Sequence, residues 1–377
     1  MHNHSLAMNK SETECREVGG AFQIAGDFAG AAGVGTGHIH QTCAVTYNQA
    51  GRPVRYMFQR INDSIFRDVA KLMENIRRVT THAHAALEAN HAPDPSRRTL
   101  TIVPTREGQP FLRTPSGQFW RVYYFIEGAR TYELVESTSQ AFEAARAFGR
   151  FQALLADLPG GRLNETIPNF HHTRSRLEAL RRAIAADARG RAAEVRAEID
   201  FFLAREADAD VLLALHAAER LPERVTHNDC KLNNVMLDDE TGEGICVIDL
   251  DTVMPGLVHY DFGDMVRTAT STALEDERDL SKVSFQLPMF EALARGYLAG
   301  AGHFLTADET AHLAFAGKLI TMETGMRFLT DYLEGDVYFR THREGHNLDR
   351  CRTQIALVRE MERHMPAMEE IVKIANC

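Results

Sequence analysis

One stretch of the chain, HNDCKLNNVMLDDETGEGICVIDLD, gathers His227, Asp229, Asn234, Asp249 and Asp251. Asp249 and Asp251 end an apolar run, and Asp229 stands in a polar loop ahead of another. Carboxylate plus amide plus carboxylate suits a hard cation that also carries phosphate oxygens, because Mg²⁺ keeps several waters and takes only one or two protein carboxylates. The apolar runs 235–237 and 245–250 flank the turn DDETGEG, the signature of a β-hairpin. Such a hairpin would bring Asn234 and Asp249 together as metal ligands. Asp229, five residues before Asn234, is then left to act as a base.

The elements that must hold these residues fall into two regions. Glycines punctuate GDFAGAAGVGTGH at Gly26, Gly30, Gly33, Gly35 and Gly37, and strand-like runs follow over 41–47 and 54–61. A dinucleotide-binding loop would open a helix, and a Walker loop would carry Gly-Lys-Ser/Thr; this one opens a strand and has neither. Asn62, Asp63 or Ser64 is placed to cap a helix whose apolar positions Val69, Leu72, Ile76 and Val79 share one face. Residues 100–103 and 118–126 are again β-rich. From Ser137 onward the periodicity is helical almost to the end, apart from the hairpin. The pattern predicts an α+β chain with a small β-rich lobe over residues 1–128 and a large, mainly helical lobe over 129–377.

Composition narrows the function. The 377 residues are 44% apolar and 25% charged, ordinary globular values, and the net charge of −10 offers no basic field for nucleic acid or an anionic membrane surface. No run approaches the roughly 18 apolar residues that cross a bilayer. The leader MHNHSLAMNKSETECREV lacks an apolar core of signal-peptide length, so a cytoplasmic location is expected. Six scattered cysteines without a CxxC pair predict free thiols rather than a zinc site or a disulfide framework.

His227-x-Asp229-x-x-x-x-Asn234, followed by Ile248-Asp249-Leu250-Asp251, resembles the catalytic loop and metal motif of the aminoglycoside phosphotransferase and choline kinase group, relatives of the protein kinases. The phrases GTGHIHQT, FQRINDSIF, FIEG, VIDLDTVMPG and TMETGMRFLTDYLEGD are similar to N-acetylhexosamine 1-kinases within that group. The resemblance implies a bilobal protein-kinase-like fold, with ATP and Mg²⁺ as cofactors. It further implies phosphorylation of a small sugar, an N-acetylhexosamine at its anomeric hydroxyl. Asp229 would then be the catalytic base, His227 would brace its loop, and Asn234 and Asp249 would hold Mg²⁺. Gly35 and Gly37 would cover the phosphates, and the backbone around Tyr124 and Ile126 would receive adenine. For the acceptor the resemblance points to His38, Arg327 and Tyr338, beside Asp229.

This chain departs from the kinase pattern in two places. The third strand reads YMFQRIND, so the usual phosphate-binding lysine is missing. Gln59 and Arg60 point to opposite faces, so only one can line the cleft, and Arg60 is the expected phosphate contact. Glu74, the nearest glutamate to serve as the helix-borne partner, lies opposite the apolar stripe of its helix. Downstream, Asp261-Phe262-Gly263 copies the protein-kinase metal motif, but Asp249 ends the apolar strand and follows Asp229 by only twenty residues. Asp261 is therefore expected to bind loop backbone or cap a helix. An aminoglycoside or other small-alcohol kinase is the alternative enzyme, and a silent nucleotide-binding pseudokinase the alternative of another class. The sequence leaves the oligomeric state open.

Overall fold

The computed structural model describes residues 12–34 and 40–376. They form two units. The N-terminal unit runs to Ala129 and takes in 157–167 and Ile245–Asp251; the other comprises Arg130–Ala156, Pro168–Gly244 and the chain from Thr252.

The N-terminal unit is built on an antiparallel five-stranded sheet. Its strands are β1 (Asp27–Gly33), β2 (Gln41–Gln49), β3 (Arg52–Ile61), β4 (Leu112–Arg113) and β5 (Phe119–Tyr124), in the order β1-β2-β3-β5-β4. Alternation puts Val45, Tyr56, Phe58, Trp120 and Val122 on one face, where they bury with Cys15 of a helix over 12–19 (α1) and with Phe22. β2 and β3 are joined by Ala50-Gly51, both at positive φ, the two-residue turn whose twist matches the strands. Helix α2 (Val69–Ala89) buries Val69, Leu72, Ile76 and Val79, the expected stripe, and leaves Glu74 exposed. Its N-cap corrects the sequence reading: Asp68 accepts from the Lys71 N–H at 3.1 Å. Asn62 instead accepts from the backbone and hydroxyl of Ser64, closing a local turn. The short helix α3 (Pro95–Arg98) precedes β4.

The second unit is mainly helical, with α4 (Thr138–Leu154), α5 (Thr173–Ala186), α6 (Arg196–Leu203), α7 (Val211–Ala217), α8 (Val258–Ala269), α9 (Leu287–Ala301), α10 (Ala307–Ala311), α11 (Leu313–Glu334) and α12 (His346–Ala375). Helix α11 runs through its core and packs on α5, α8 and α12, burying Leu319, Met322, Met326 and Leu329 among others. Of the remaining strands, β6 (Ala129–Arg130) is very short. β7 (Arg224–Thr226) pairs antiparallel with β10 (Met254–Gly256), while β8 (Val235–Asp238) and β9 (Gly244–Val247) stand before and after the turn the sequence marks. That turn is closed by Asp238, whose N–H donates to the Glu243 carbonyl at 2.9 Å. The whole agrees with the α+β, kinase-like fold class. Among the described residues no helix is long and apolar enough to cross a membrane.

Helices α4 and α9 meet backbone to backbone. A Cβ on Gly296 would stand 2.2 Å from the Phe142 carbonyl oxygen, and one on Gly149 2.6 Å from that of Tyr297. The contact matters for function because α4 also carries Phe148, Phe151 and Gln152, described below. Gly296→Ala is therefore expected to cost about 1–3 kcal/mol or more, as overpacking does, and to lower the melting temperature. Gly30→Ala, where an added Cβ meets nothing within 4 Å, is the near-neutral control. Equal melting temperatures for the two variants would refute the close-approach account.

Candidate active site

In the helical unit, β7 delivers the loop His227-Asn228-Asp229. The loop is held by Asp261 of α8, whose carboxylate accepts from the backbone N–H of His227 at 2.8 Å and of Asn228 at 2.7 Å. Gln152 of α4 donates a third bond to it at 2.6 Å, and Gln152 in turn accepts from the Tyr297 hydroxyl at 2.5 Å. Complete burial pushes the Asp261 carboxyl up, against the pull of His227 and these donors. Asp261 thus binds loop backbone, as its place in the sequence suggested. His227 is fully buried, edge-on to Phe148 and Phe151 at 5.3 and 6.1 Å, and its Nδ1 accepts from the Asp229 N–H at 3.3 Å. His227 is thus enclosed within the unit, against the loop it belongs to.

Asp229 is half-buried and gripped on both oxygens. Lys231 Nζ lies 2.8 Å from Oδ1, while the Asn234 amide donates to Oδ2 at 3.3 Å and to the Asp229 carbonyl at 2.8 Å. Burial alone would raise the Asp229 carboxyl, but Lys231, His227 and Arg267 outweigh it and hold the group below the usual carboxylate range. It is ionised at neutral pH and able to accept a proton. Because the Asn234 nitrogen is used by Asp229, its amide oxygen is the atom left for another partner, and a hard cation takes such an oxygen.

Within the N-terminal unit, Asp249 and Asp251 follow β9. Asp249 is exposed, with φ 59°, a left-handed conformation that Asp tolerates better than most residues. Asp251 is buried and receives both arms of Arg121 from β5, at 2.5 and 2.6 Å. It also accepts from His40 Nε2 at 3.1 Å. The other ring nitrogen of His40 accepts from the Asn62 N–H at 3.1 Å, which fixes the tautomer with the proton on Nε2. His40, Asp249 and Asp251 have ligand atoms within 4.8 Å of one another. His40 and Asp251 are bonded to each other and to Asn62 and Arg121, while Asp249 is the exposed member of the group. Against its burial, the guanidinium of Arg121 drives Asp251 well below the ordinary carboxylate range, and Asp251 raises Arg121 in return.

Arg60 does not belong to this group. It pairs with Trp120 on the face of the sheet that carries Phe58, whereas Gln59 pairs with Arg121 and accepts from its Nε at 2.9 Å. The period-two alternation of β3 thus turns Arg60 away from Asp251, and the cation beside the acids comes from β5. Farther along, the N–H groups of Tyr124 and Phe125 donate to the carbonyls of Thr101 (3.0 Å) and Arg55 (3.2 Å). Tyr124 is exposed and Ile126 buried. Arg97 clasps the carbonyls of Glu127 and Gly128, and Arg55 bonds Glu127 and covers the Phe125 ring, so the segment after β5 is held from two sides.

The remaining candidates lie on and after α11. Arg327 is half-buried, its guanidinium 5.5, 5.9 and 5.5 Å from the rings of Phe170, Tyr338 and Phe339. Tyr338 is exposed, in a loop that buried Asp331 fixes by accepting from the N–H groups of Val337, Tyr338 and Phe339 at 2.7–2.9 Å. Arg327 and Tyr338 are therefore brought together. Gly35, Gly37 and His38 lie outside the described residues. Sequence reading passed over Arg121, His40, Lys231 and Gln152. Arg121 had a signal: a lone charge inside the apolar strand FWRVYY requires a buried partner. Lys231, two residues beyond Asp229, was legible too; Gln152 and His40 carried no local mark.

Residues 30–311 match the model of the phosphotransferase enzyme family. The fold is similar to that of an aminoglycoside phosphotransferase from Alicyclobacillus acidocaldarius, with TM-score 0.61 and 15% identity over 95% of this chain and 96% of that one. It is also similar to a spectinomycin phosphotransferase in complex with ADP and spectinomycin (0.54, 11%, 93% and 98%). A choline kinase from Cryptosporidium parvum gives 0.52 and 14% over 94% and 95%.

Arg121→Leu leaves the Asp251 carboxylate buried without its partner and is expected to cost about 3–5 kcal/mol in denaturant unfolding. Adding Asp251→Leu should restore most of that loss. Because the folded Asp251 pKa is depressed, the stability it contributes is present above about pH 4, the unfolded value, and is lost as the pH falls through the folded one. If the single variant unfolds with the wild-type midpoint, the pair does not hold this region.

Proposed function

The chain belongs to the phosphotransferase enzyme family, and from that premise we propose that it moves the γ-phosphoryl group of ATP to a sugar hydroxyl, the anomeric one of an N-acetylhexosamine. It is a phosphotransferase with a small-molecule alcohol as acceptor. The observation that carries the reading is the loop itself: a depressed, half-buried Asp229, held by Lys231 and Asn234 and locked from behind by Asp261. A protein that only binds nucleotide has no use for a base kept ionised in this way, which counts against the pseudokinase alternative.

In this mechanism the acceptor oxygen attacks phosphorus, the bond from the γ-phosphorus to the β–γ bridging oxygen breaks, and the hydroxyl proton passes to Asp229. The loose transition state of phosphoryl transfer asks mainly for alignment and charge neutralisation. Lys231, already against Asp229, is placed to balance charge on the transferring group. Asn234 and Asp249 are the proposed Mg²⁺ ligands, and the ion would neutralise the phosphate oxygens. Adenine would meet backbone near Tyr124 and Ile126, in the segment braced by Arg97, through groups other than the N–H of Tyr124 and Phe125, which are already used. ADP bound to the spectinomycin phosphotransferase of the same fold supports the choice of an adenine nucleotide. Gly35 and Gly37 remain the proposed cover for the phosphates and His38 a proposed acceptor contact, with Arg327 and Tyr338.

Asp229→Asn is expected to lower kcat by at least about 10²-fold, the low end for a lost general base, with little change in ATP binding. Asp249→Ala should abolish Mg²⁺-dependent turnover while the melting temperature stays near that of the wild type, since the side chain is exposed. ATP consumption measured against N-acetylglucosamine, N-acetylgalactosamine, choline and kanamycin checks the acceptor class. Turnover of kanamycin alone would replace the sugar reading with the aminoglycoside one.

A further inference from the structure

We propose that Arg176 and Arg327 form an anion-binding subsite beside Tyr338, and that it takes a carboxylate carried by the acceptor sugar. The inference rests on the sugar-kinase reading above and narrows its substrate to acidic sugars.

The two arginines converge on Phe170. Arg176, on α5, donates from Nη2 to the Phe170 carbonyl at 2.7 Å, and the Arg327 guanidinium stands 5.5 Å from the Phe170 ring. Neither makes a salt bridge among the described residues. The Nε of Arg176 is buried with no hydrogen-bond partner among the described residues, a donor whose desolvation is not offset there. Burial, followed by repulsion from Arg327, pushes Arg176 below the ordinary arginine value, so the two cations feel each other directly.

The acid in their field does not neutralise them. Glu323 is buried, and its two oxygens are engaged by His171 Nδ1 at 2.8 Å and by the Thr173 hydroxyl at 2.6 Å. The other nitrogen of His171 faces the Asn228 carbonyl at 3.0 Å. Both ring nitrogens of His171 thus meet acceptors, and only the imidazolium can donate to both. Against its burial, Glu323 raises the His171 pKa in the same direction. Arg176, Arg327 and His171 thus face the carboxylate of Glu323, while Asp264, which also acts on His171, is paired with Arg267. A net positive patch in a chain of net charge −10 calls for an anion.

The surroundings say what kind of anion. The rings of Phe170, Tyr338 and Phe339 stand around Arg327 and offer apolar planes of the sort that receive the C–H faces of a sugar ring. Asp331 holds the Tyr338 loop in place. The subsite is also tied to the base: His171 bonds the carbonyl of Asn228, the residue immediately before Asp229. A neutral sugar would leave both guanidiniums uncompensated, and the ammonium groups of an aminoglycoside would be repelled. A carboxylate on a sugar ring satisfies the charge, the free donor and the flat apolar walls together.

The test is a comparison of matched pairs: glucuronate with glucose, galacturonate with galactose, and N-acetylmuramate with N-acetylglucosamine. In wild-type enzyme at least one acid is expected to exceed its neutral partner in kcat/KM by about tenfold or more. Arg176→Gln should bring that ratio close to one while ATP binding is unchanged, and Arg176→Lys should keep part of it. The same six sugars are run in thermal shift with ATP present. If no sugar is turned over, yet the acids alone raise the melting temperature of wild type and not of Arg176→Gln, the subsite stands and the sugar-kinase reading falls. If neutral members are preferred in turnover in every pair, or acids neither react nor stabilise, the subsite inference is overturned.

Discussion

A single buried carboxylate, Asp261, sets the geometry on which the catalytic loop depends. It accepts the backbone N–H groups of His227 and Asn228, two donors that belong to no helix or strand ladder and would otherwise be buried without partners. Gln152 and Tyr297 extend the bond into α4 and α9, so the packing of those helices on their glycines and the position of Asp229 are one mechanical system. The Asp-Phe-Gly letters sit on a helix, where their aspartate is engaged by loop backbone. Their aspartate is fully enclosed, and its oxygens already have protein donors.

The N-terminal unit uses a buried charge differently. β3 carries no lysine; Gln59 stands opposite Arg121 of β5, which supplies the cation beside Asp251. Its fork meets Asp251 on both oxygens, a geometry that lysine cannot reproduce. Asp251 is thereby held ionised, and His40 donates a third bond to it. The two acids thus differ in burial, Asp251 enclosed and Asp249 exposed, although they look equivalent in the string Asp249-Leu250-Asp251.

Charge is distributed unevenly for a reason. The chain is acidic as a whole, yet around Phe170 it gathers Arg176, Arg327 and His171 about the carboxylate of Glu323. Such a cluster costs stability unless a ligand completes it, and binding sites commonly carry that kind of unbalanced interaction. Asp331 adds the complementary element: three backbone N–H groups on one carboxylate give an irregular loop a defined shape and set Tyr338 over the arginine.

Local patterns determined a good part of this protein. The alternation of β2 and β3, the stripe of α2, the switch to helical period after Ser137 and the spacing of His227, Asp229 and Asn234 are all short-range, and each is legible because period and spacing are local properties of the chain. The same arithmetic showed that Glu74 faces solvent and that only one of Gln59 and Arg60 shares a face with the acids. What it could not supply was the choice between them, because that depends on the strand pairing that sets Arg121 opposite Gln59, with α2, α3 and β4 lying between them in sequence. The helix cap went to Asp68 because Asn62 found a nearer partner in Ser64. The pairings of Arg121 with Asp251, of Gln152 with Asp261, and of His171 with Glu323 join residues more than a hundred positions apart. Only the folded chain decides those, since a buried charge takes whichever partner the packing brings within hydrogen-bond reach, and nothing in its sequence neighbourhood records which one that is.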